Sequence, residues 1–243
     1  MKKIFALGDS VMKGIITDNQ QQDAGVFKYR ISDESFVCKC EQRLGRPIEN
    51  LARFGNTIVN GLKLLDRYID KMDMEDWVVT EFGGNDCNFN WKSVAEDPEK
   101  KHMPMVGLEA FGENYRIMID RIKATGAKPI LLTLPILESR LFFDFVSRGL
   151  NQDNIMRWLG GDVNYINNWH EQYNLEIFKI GLEMEVRVID ISTIFLKQRD
   201  LGAYYCADGM HPNELGHGLI ADAIMKRIEK GEEKPHGVWG MVS

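Results

Sequence analysis

Residues 77–86 read Trp77-Val78-Val79-Thr80-Glu81-Phe82-Gly83-Gly84-Asn85-Asp86. A run rich in β-branched and aromatic side chains passes directly into two glycines, an amide and a carboxylate. Such a run suits a strand covered on both faces, and Gly-Gly-Asn-Asp is turn chemistry. Glu81 is a single charge in the run and makes it less pure than its neighbours. The fold is decided by repetition of this unit. Ile4-Phe5-Ala6-Leu7 comes before it, as does a weaker run from Pro47 to Leu51. Pro129-Ile130-Leu131-Leu132-Thr133-Leu134 and Val186-Arg187-Val188-Ile189-Asp190-Ile191 come after it.

Helical patterns lie between the runs. Ser32 to Leu44 offers Ser32 or Asp33 as N-cap and stops at Gly45. Thr57 to Met72 places Ile58, Leu62, Leu65 and Ile69 on one stripe. Phe111 to Ala124 repeats that spacing, and Ile166 to Met184 adds another helix. Pro212 to Glu229 is the last, with Leu215, Leu219, Ala223 and Ile224 expected inward. The alternation predicts an α/β protein: a three-layer α/β/α sandwich around a parallel five-stranded sheet. It is read as a single domain over residues 1–230, with insertions at about 87–107 and 136–165. Residues 231–243 are read as a C-terminal tail. The second insertion carries Phe142, Phe143, Phe145, Trp158 and Tyr165. Long connections at a sheet's carboxyl edge build substrate walls or lids, and aromatics there also make small satellite cores.

Open parallel sheets hold ligands at the carboxyl ends of their strands. Ser10 follows the first strand in Gly8-Asp9-Ser10, and Gly55 follows the second. Asn85 follows the third, and Asp208 and His211 follow the fifth. The chemistry-bearing residues therefore converge on one edge. A serine hydroxyl needs a base, and the base needs an orienting partner. Asp208 and His211, three apart, supply both in a turn. Asn85 offers an N–H₂ donor for a developing oxyanion. Each segment also has a plainer reading: Asp9, Ser10, Asn56, Thr57 and Asp208 are all competent helix caps.

Bulk numbers exclude other classes. Lys and Arg total 30 against 36 Asp and Glu, for a net charge of −6, which argues against a nucleic-acid partner. Cys38, Cys40, Cys87 and Cys206 form no C-x-x-C and no Cys/His zinc spacing, so no metal is expected. They read as reduced thiols, and cytoplasmic residence is the expectation. Met1-Lys2-Lys3 is followed by only four apolar residues, short of the roughly 7–15 of a secretory core. No run approaches the ~18 residues of a membrane span. Gly216-His217-Gly218-Leu219-Ile220-Ala221 fits G-x-G-x-x-A but follows no strand, so it fails as a dinucleotide site. His217 reads as a helix-surface or packing residue. His102, His170 and His236 read as solvated.

Taken in order, Gly8-Asp9-Ser10, Gly55 before a helix, Gly83-Gly84-Asn85-Asp86 and Asp208-Gly209-Met210-His211 resemble the SGNH hydrolases, also called the GDSL-type lipase/esterase family. The likeness runs from Ile4 to about Glu229. It implies a flavodoxin-like fold with Ser10 as nucleophile, His211 as base and Asp208 as its orienter. It further implies an oxyanion hole made by Ser10 N–H, Gly55 N–H and the Asn85 amide, with no cofactor. Val11 stands where the family name has Leu. The expected activity is hydrolysis of a small-molecule carboxylic ester through an acyl-serine. The alternatives are acetyl removal from a carbohydrate, acyl transfer by the same triad, and a non-catalytic binding module. The 136–165 insertion leaves substrate class, and whether it serves as lid, wall or interface, open.

Overall fold

The structure, a computed structural model, describes residues 2–17 and 27–232. His236 and the expected tail beyond residue 232 lie outside the described residues. In chain order the elements are β1 (Ile4–Gly8), α1 (Ser10–Lys13), β2 (Ile15–Thr17), β3 (Tyr29–Ile31), α2 (Phe36–Leu44), β4 (Ile48–Asn50), α3 (Ile58–Tyr68), β5 (Trp77–Glu81) and α4 (Trp91–Glu96). There follow α5 (Leu108–Ala124), β6 (Lys128–Leu132), α6 (Ser139–Val146), α7 (Gln152–Trp158), α8 (Tyr165–Glu183), β7 (Arg187–Ile189), α9 (Thr193–Leu196) and α10 (Glu214–Glu232).

Five strands form one parallel sheet in the order β4-β1-β5-β6-β7. Numbered within that sheet alone, this is the flavodoxin-like order 2-1-3-4-5. All five apolar runs of the sequence become these strands. Alternate residues of β1 feed the two cores, because successive strand side chains point to opposite faces. Phe5 and Leu7 pack with Ile58, Leu65, Tyr115, Met118 and Tyr173 from α3, α5 and α8. Ala6 packs on the other face with Phe36, Val37, Ile220 and Ala221 from α2 and α10.

Four features depart from the sequence expectations. Helix α2 begins at Phe36, capped by Ser35 Oγ, which accepts from Cys38 N at 3.3 Å, because Ser32 opens a turn that Ser35 N closes on Ser32 O at 3.1 Å. Leu215 is 64 % exposed, while Ile220, Ala221 and Ile224 face inward. β2 and β3 pair as an antiparallel ribbon of three residues each, too short to read as strands in isolation. Finally, the two long connections contain helices. α4, α6 and α7 pack Val94, Ala95, Leu137, Phe142, Phe143, Ile155 and Leu159 into a third cluster of their own. Among the described residues, no helix is long and apolar enough to cross a membrane.

Candidate active site

Ser10 opens α1 directly after β1. Asp9 caps that helix, its Oδ1 accepting from Val11 N at 2.8 Å. Asp208 and His211 lie between β7 and α10. The Asp208 carboxylate organises its own loop: Oδ1 accepts from His211 N at 3.0 Å and Met210 N at 3.1 Å. Its Oδ2 lies 2.7 Å from His211 Nδ1, and His211 Nε2 lies 2.8 Å from Ser10 Oγ. Hydroxyl, imidazole and carboxylate thus form an unbroken hydrogen-bonded line. All three residues are buried. Burial alone would push the Asp208 carboxyl up. The His211 hydrogen bond and charge, with the two backbone donors, outweigh it and hold the group below the usual carboxylate range.

The loop takes this shape because residue 209 is glycine. Its φ is +68°, and a Cβ there would stand 2.3 Å from Phe142 N and 2.7 Å from Glu138 O at the start of α6. Glu138 N in turn donates to Gly209 O at 2.9 Å. The aromatic insertion is therefore pressed against the catalytic loop, backbone to backbone.

Asn85 sits in the turn after β5, whose Gly83 has φ +139° and meets Leu134 where a Cβ would be. Asn85 Nδ2 donates to Asp9 Oδ2 at 3.0 Å, which leaves its second N–H free to face a reacting group. Gly55 lies in a turn tied to β1: Arg53 N donates to Gly8 O at 3.2 Å and Asn56 Nδ2 to the same oxygen at 3.3 Å. Its φ is +70°, and its N–H makes no hydrogen bond among the described residues. It follows Phe54, whose ring stacks on His211, and is absent from the cavity wall.

That cavity opens from Ser10, Asn85 and His211 and holds about 60 Å³ of free space. Its walls are apolar: Phe89, Trp91, Leu134, Leu137, Phe142, Trp158, Trp169 and Met210. The two long connections supply most of them. On the other side of the imidazole, Phe54 stacks on His211 at 5.9 Å and 24°, and Tyr29 meets it edge-on at 5.3 Å. Phe54 is 55 % exposed, so this side is an open aromatic rim. Burial and the Asp208 charge keep the Tyr29 phenol protonated.

Several site residues escaped the sequence reading. Asp9 holds the Asn85 amide, and Glu81 is buried beside it rather than being a blemish in a strand. Asp86 Oδ1 accepts from Ile58 N at 2.9 Å at the start of α3, and burial pushes its carboxyl up to about 7. The reading of His170 as solvated is wrong: it is 2 % exposed, lines the cavity, and has Nδ1 3.3 Å from Glu171 Oε1. Its helical face turns toward the insertion, which a lone polar residue in a sequence does not announce. His102 is half-buried, with Nε2 2.8 Å from Asp97 O. His217 packs in the core, stacked on Phe36 and accepting from Phe36 N at 3.4 Å. Among the described residues, no group of three or more His, Cys, Asp or Glu is placed to hold a metal ion.

The sheet order is flavodoxin-like, and the Ser10–His211–Asp208 line stands at the carboxyl edge of that sheet. The chain belongs to the GDSL-like lipase/acylhydrolase family, whose model matches residues 6–219. It is similar to the lipase/acylhydrolase of Enterococcus faecalis, with TM-score 0.64, 22 % identity, and 98 % of this chain and 100 % of that one covered. It is also similar to an acetylxylan esterase of Geobacillus stearothermophilus, with TM-score 0.60, 20 % identity, and 93 % and 94 % covered. At these identities the likeness is one of fold. A GDSL esterase/lipase of Oryza sativa subsp. japonica is 26 % identical over 164 residues, 67 % of this chain. The match spans only 56 % of the rice protein's length.

Proposed function

We propose that this protein hydrolyses carboxylic esters of short acyl chains through an acyl-Ser10 intermediate. The carrying observation is the line from Ser10 Oγ to His211 Nε2 at 2.8 Å and on from Nδ1 to Asp208 at 2.7 Å. His211 takes the hydroxyl proton as Ser10 attacks the ester carbonyl. The oxyanion that forms is met by the Ser10 and Gly55 N–H groups and the free N–H of Asn85. Its collapse expels the alcohol, which receives the proton from His211. Water then attacks the acyl-enzyme by the same base, releasing the acid and restoring Ser10.

The cavity volume supports a short acyl group. About 60 Å³ is small for a long acyl chain, and Phe89, Trp91, Phe142 and Trp158 stand along its walls. The rim supports a second reading for the alcohol. The leaving oxygen takes its proton from His211, whose ring packs against Phe54 and Tyr29. Aromatic faces there suit the apolar face of a sugar, so acetylated carbohydrates join the substrates to be tried. Product analysis with an added alcohol would separate acyl transfer from hydrolysis. The free thiols Cys38, Cys40, Cys87 and Cys206 support cytoplasmic residence as part of the same reading.

Ser10→Ala assayed on nitrophenyl esters from acetyl to long-chain tests the proposal. Turnover of acetyl ester should fall by about 10³ or more. Undiminished turnover refutes the acyl-serine. A reactive phosphonate should label Ser10 in the wild type, whereas a non-catalytic binding module would give no adduct.

A further inference from the structure

Glu81 ends β5 in register with Gly8 of β1, which sets its side chain beside the Asp9–Ser10 turn. It is 1 % exposed and Asp9 2 %. Glu81 Oε2 has no hydrogen-bond partner. An ionised oxygen left without a donor in the interior is costly, so the group needs another account. Asp9 shows the opposite condition. Its Oδ1 takes the Val11 N–H and its Oδ2 the Asn85 amide.

The two carboxyl groups line one cavity at the paired ends of β1 and β5, and each perturbs the titration of the other. The other titratable groups near them are Asp86 from the turn after β5, Tyr115 from α5, Cys87 from the same turn and His211 from the C-terminal loop. Neither Lys nor Arg is among them. Two buried carboxyls facing each other without a cation do not both ionise. Burial and the Asp9 charge both push the Glu81 carboxyl well above its ordinary range. Burial also raises Asp9, but its N–H donors and His211 act in the other direction. The proton therefore belongs on Glu81, and a proton on Oε2 gives the orphaned oxygen a partner.

We propose that Glu81 is a positioning residue for the ester hydrolysis: as a neutral acid it donates to Asp9, and through Asp9 it aims the Asn85 amide at the oxyanion. An amide group is planar, so fixing one N–H on Asp9 fixes the direction of the other. The inference rests on the acyl-serine reading but concerns a proton that is observable without turnover.

The test compares Glu81→Gln, whose amide still donates, with Glu81→Leu, which cannot. Glu81→Leu should lower kcat about tenfold with KM little changed, less than the 10²–10³ typical of deleting an oxyanion donor outright. Glu81→Gln should stay within about twofold of wild type. In an Asn85→Ala background, Glu81→Leu should cost nothing further, because residues acting through one group are non-additive. Infrared difference spectra of wild type against Glu81→Gln at neutral pH should show a protonated-acid carbonyl band that the variant lacks. Absence of that band overturns the proposal, as does a Gln variant that falls as far as Leu or full additivity with Asn85→Ala. Should Glu81→Leu fail to fold, the Gln variant and the infrared band decide. A wild type without ester turnover would instead overturn the parent acyl-serine reading, leaving the band to report the proton by itself.

Discussion

Two carboxyl arrangements flank Ser10, and they are built oppositely. Asp208 is surrounded by donors: two backbone N–H groups on one oxygen and His211 on the other. Asp9 takes the Val11 N–H and the Asn85 amide, and stands beside Glu81, an acid with one bare oxygen and no cation near it. Burial acts on both and the outcome differs in sign. The first group is held as a charge next to an imidazole that, in the proposed reaction, becomes cationic. The second, as proposed above, is a neutral-plus-anionic pair that orients the Asn85 amide. Depth of burial does not decide what a carboxyl does here; the donors and charges around it do.

The sharpest way to break this contrast is Asp208→Asn. It leaves shape nearly intact but removes the charge that orders the imidazole, and kcat should fall on the order of 10⁴. A loss under tenfold, measured with acetyl nitrophenyl ester, would mean that His211 needs no orienting anion. Next in size is Asn85→Ala on the other side. Its kcat should drop about 10²–10³ while KM moves little, since the donor acts on charge that appears only in the transition state. A pure KM effect would assign Asn85 to substrate binding instead. Smallest is Asp86→Asn, read in stability against pH. The folded-state value of Asp86 lies above its unfolded one, so its contribution is fully present below about 4 and is lost as pH rises through about 7. The variant should flatten the stability curve over that window, where one proton contributes at most about 1.4 kcal/mol per pH unit. An unchanged slope in denaturant titrations would place the uptake elsewhere.

Much of this was legible in the residues. The apolar runs became the five strands because strands covered on both faces leave little room for polar exceptions. Ser10, Asn85, Asp208 and His211 stood out because each is a reactive type at the end of a regular element. Glu81 was hidden by the same logic: one charge inside an apolar run looks like noise until the register of β1 and β5 sets it beside Asp9. The β2–β3 ribbon and helices α4, α6 and α7 were hidden for another reason. They are short, and what stabilises them is contact with one another rather than their own periodicity. His170 went astray likewise, since its burial depends on the insertion that folds over it.

On the proposed mechanism, the seam between Gly209 and the Glu138–Phe142 backbone ties specificity to rate. The insertion that supplies the cavity's rings also braces the loop that bears the base. Exchanging that segment for another, by evolution or by a protein engineer, would disturb the imidazole even if every new ring suited the new acyl chain. Substrate range and turnover in this scaffold are therefore inherited together. A graft that succeeds must carry a backbone donor to meet residue 209 and leave room for no side chain there.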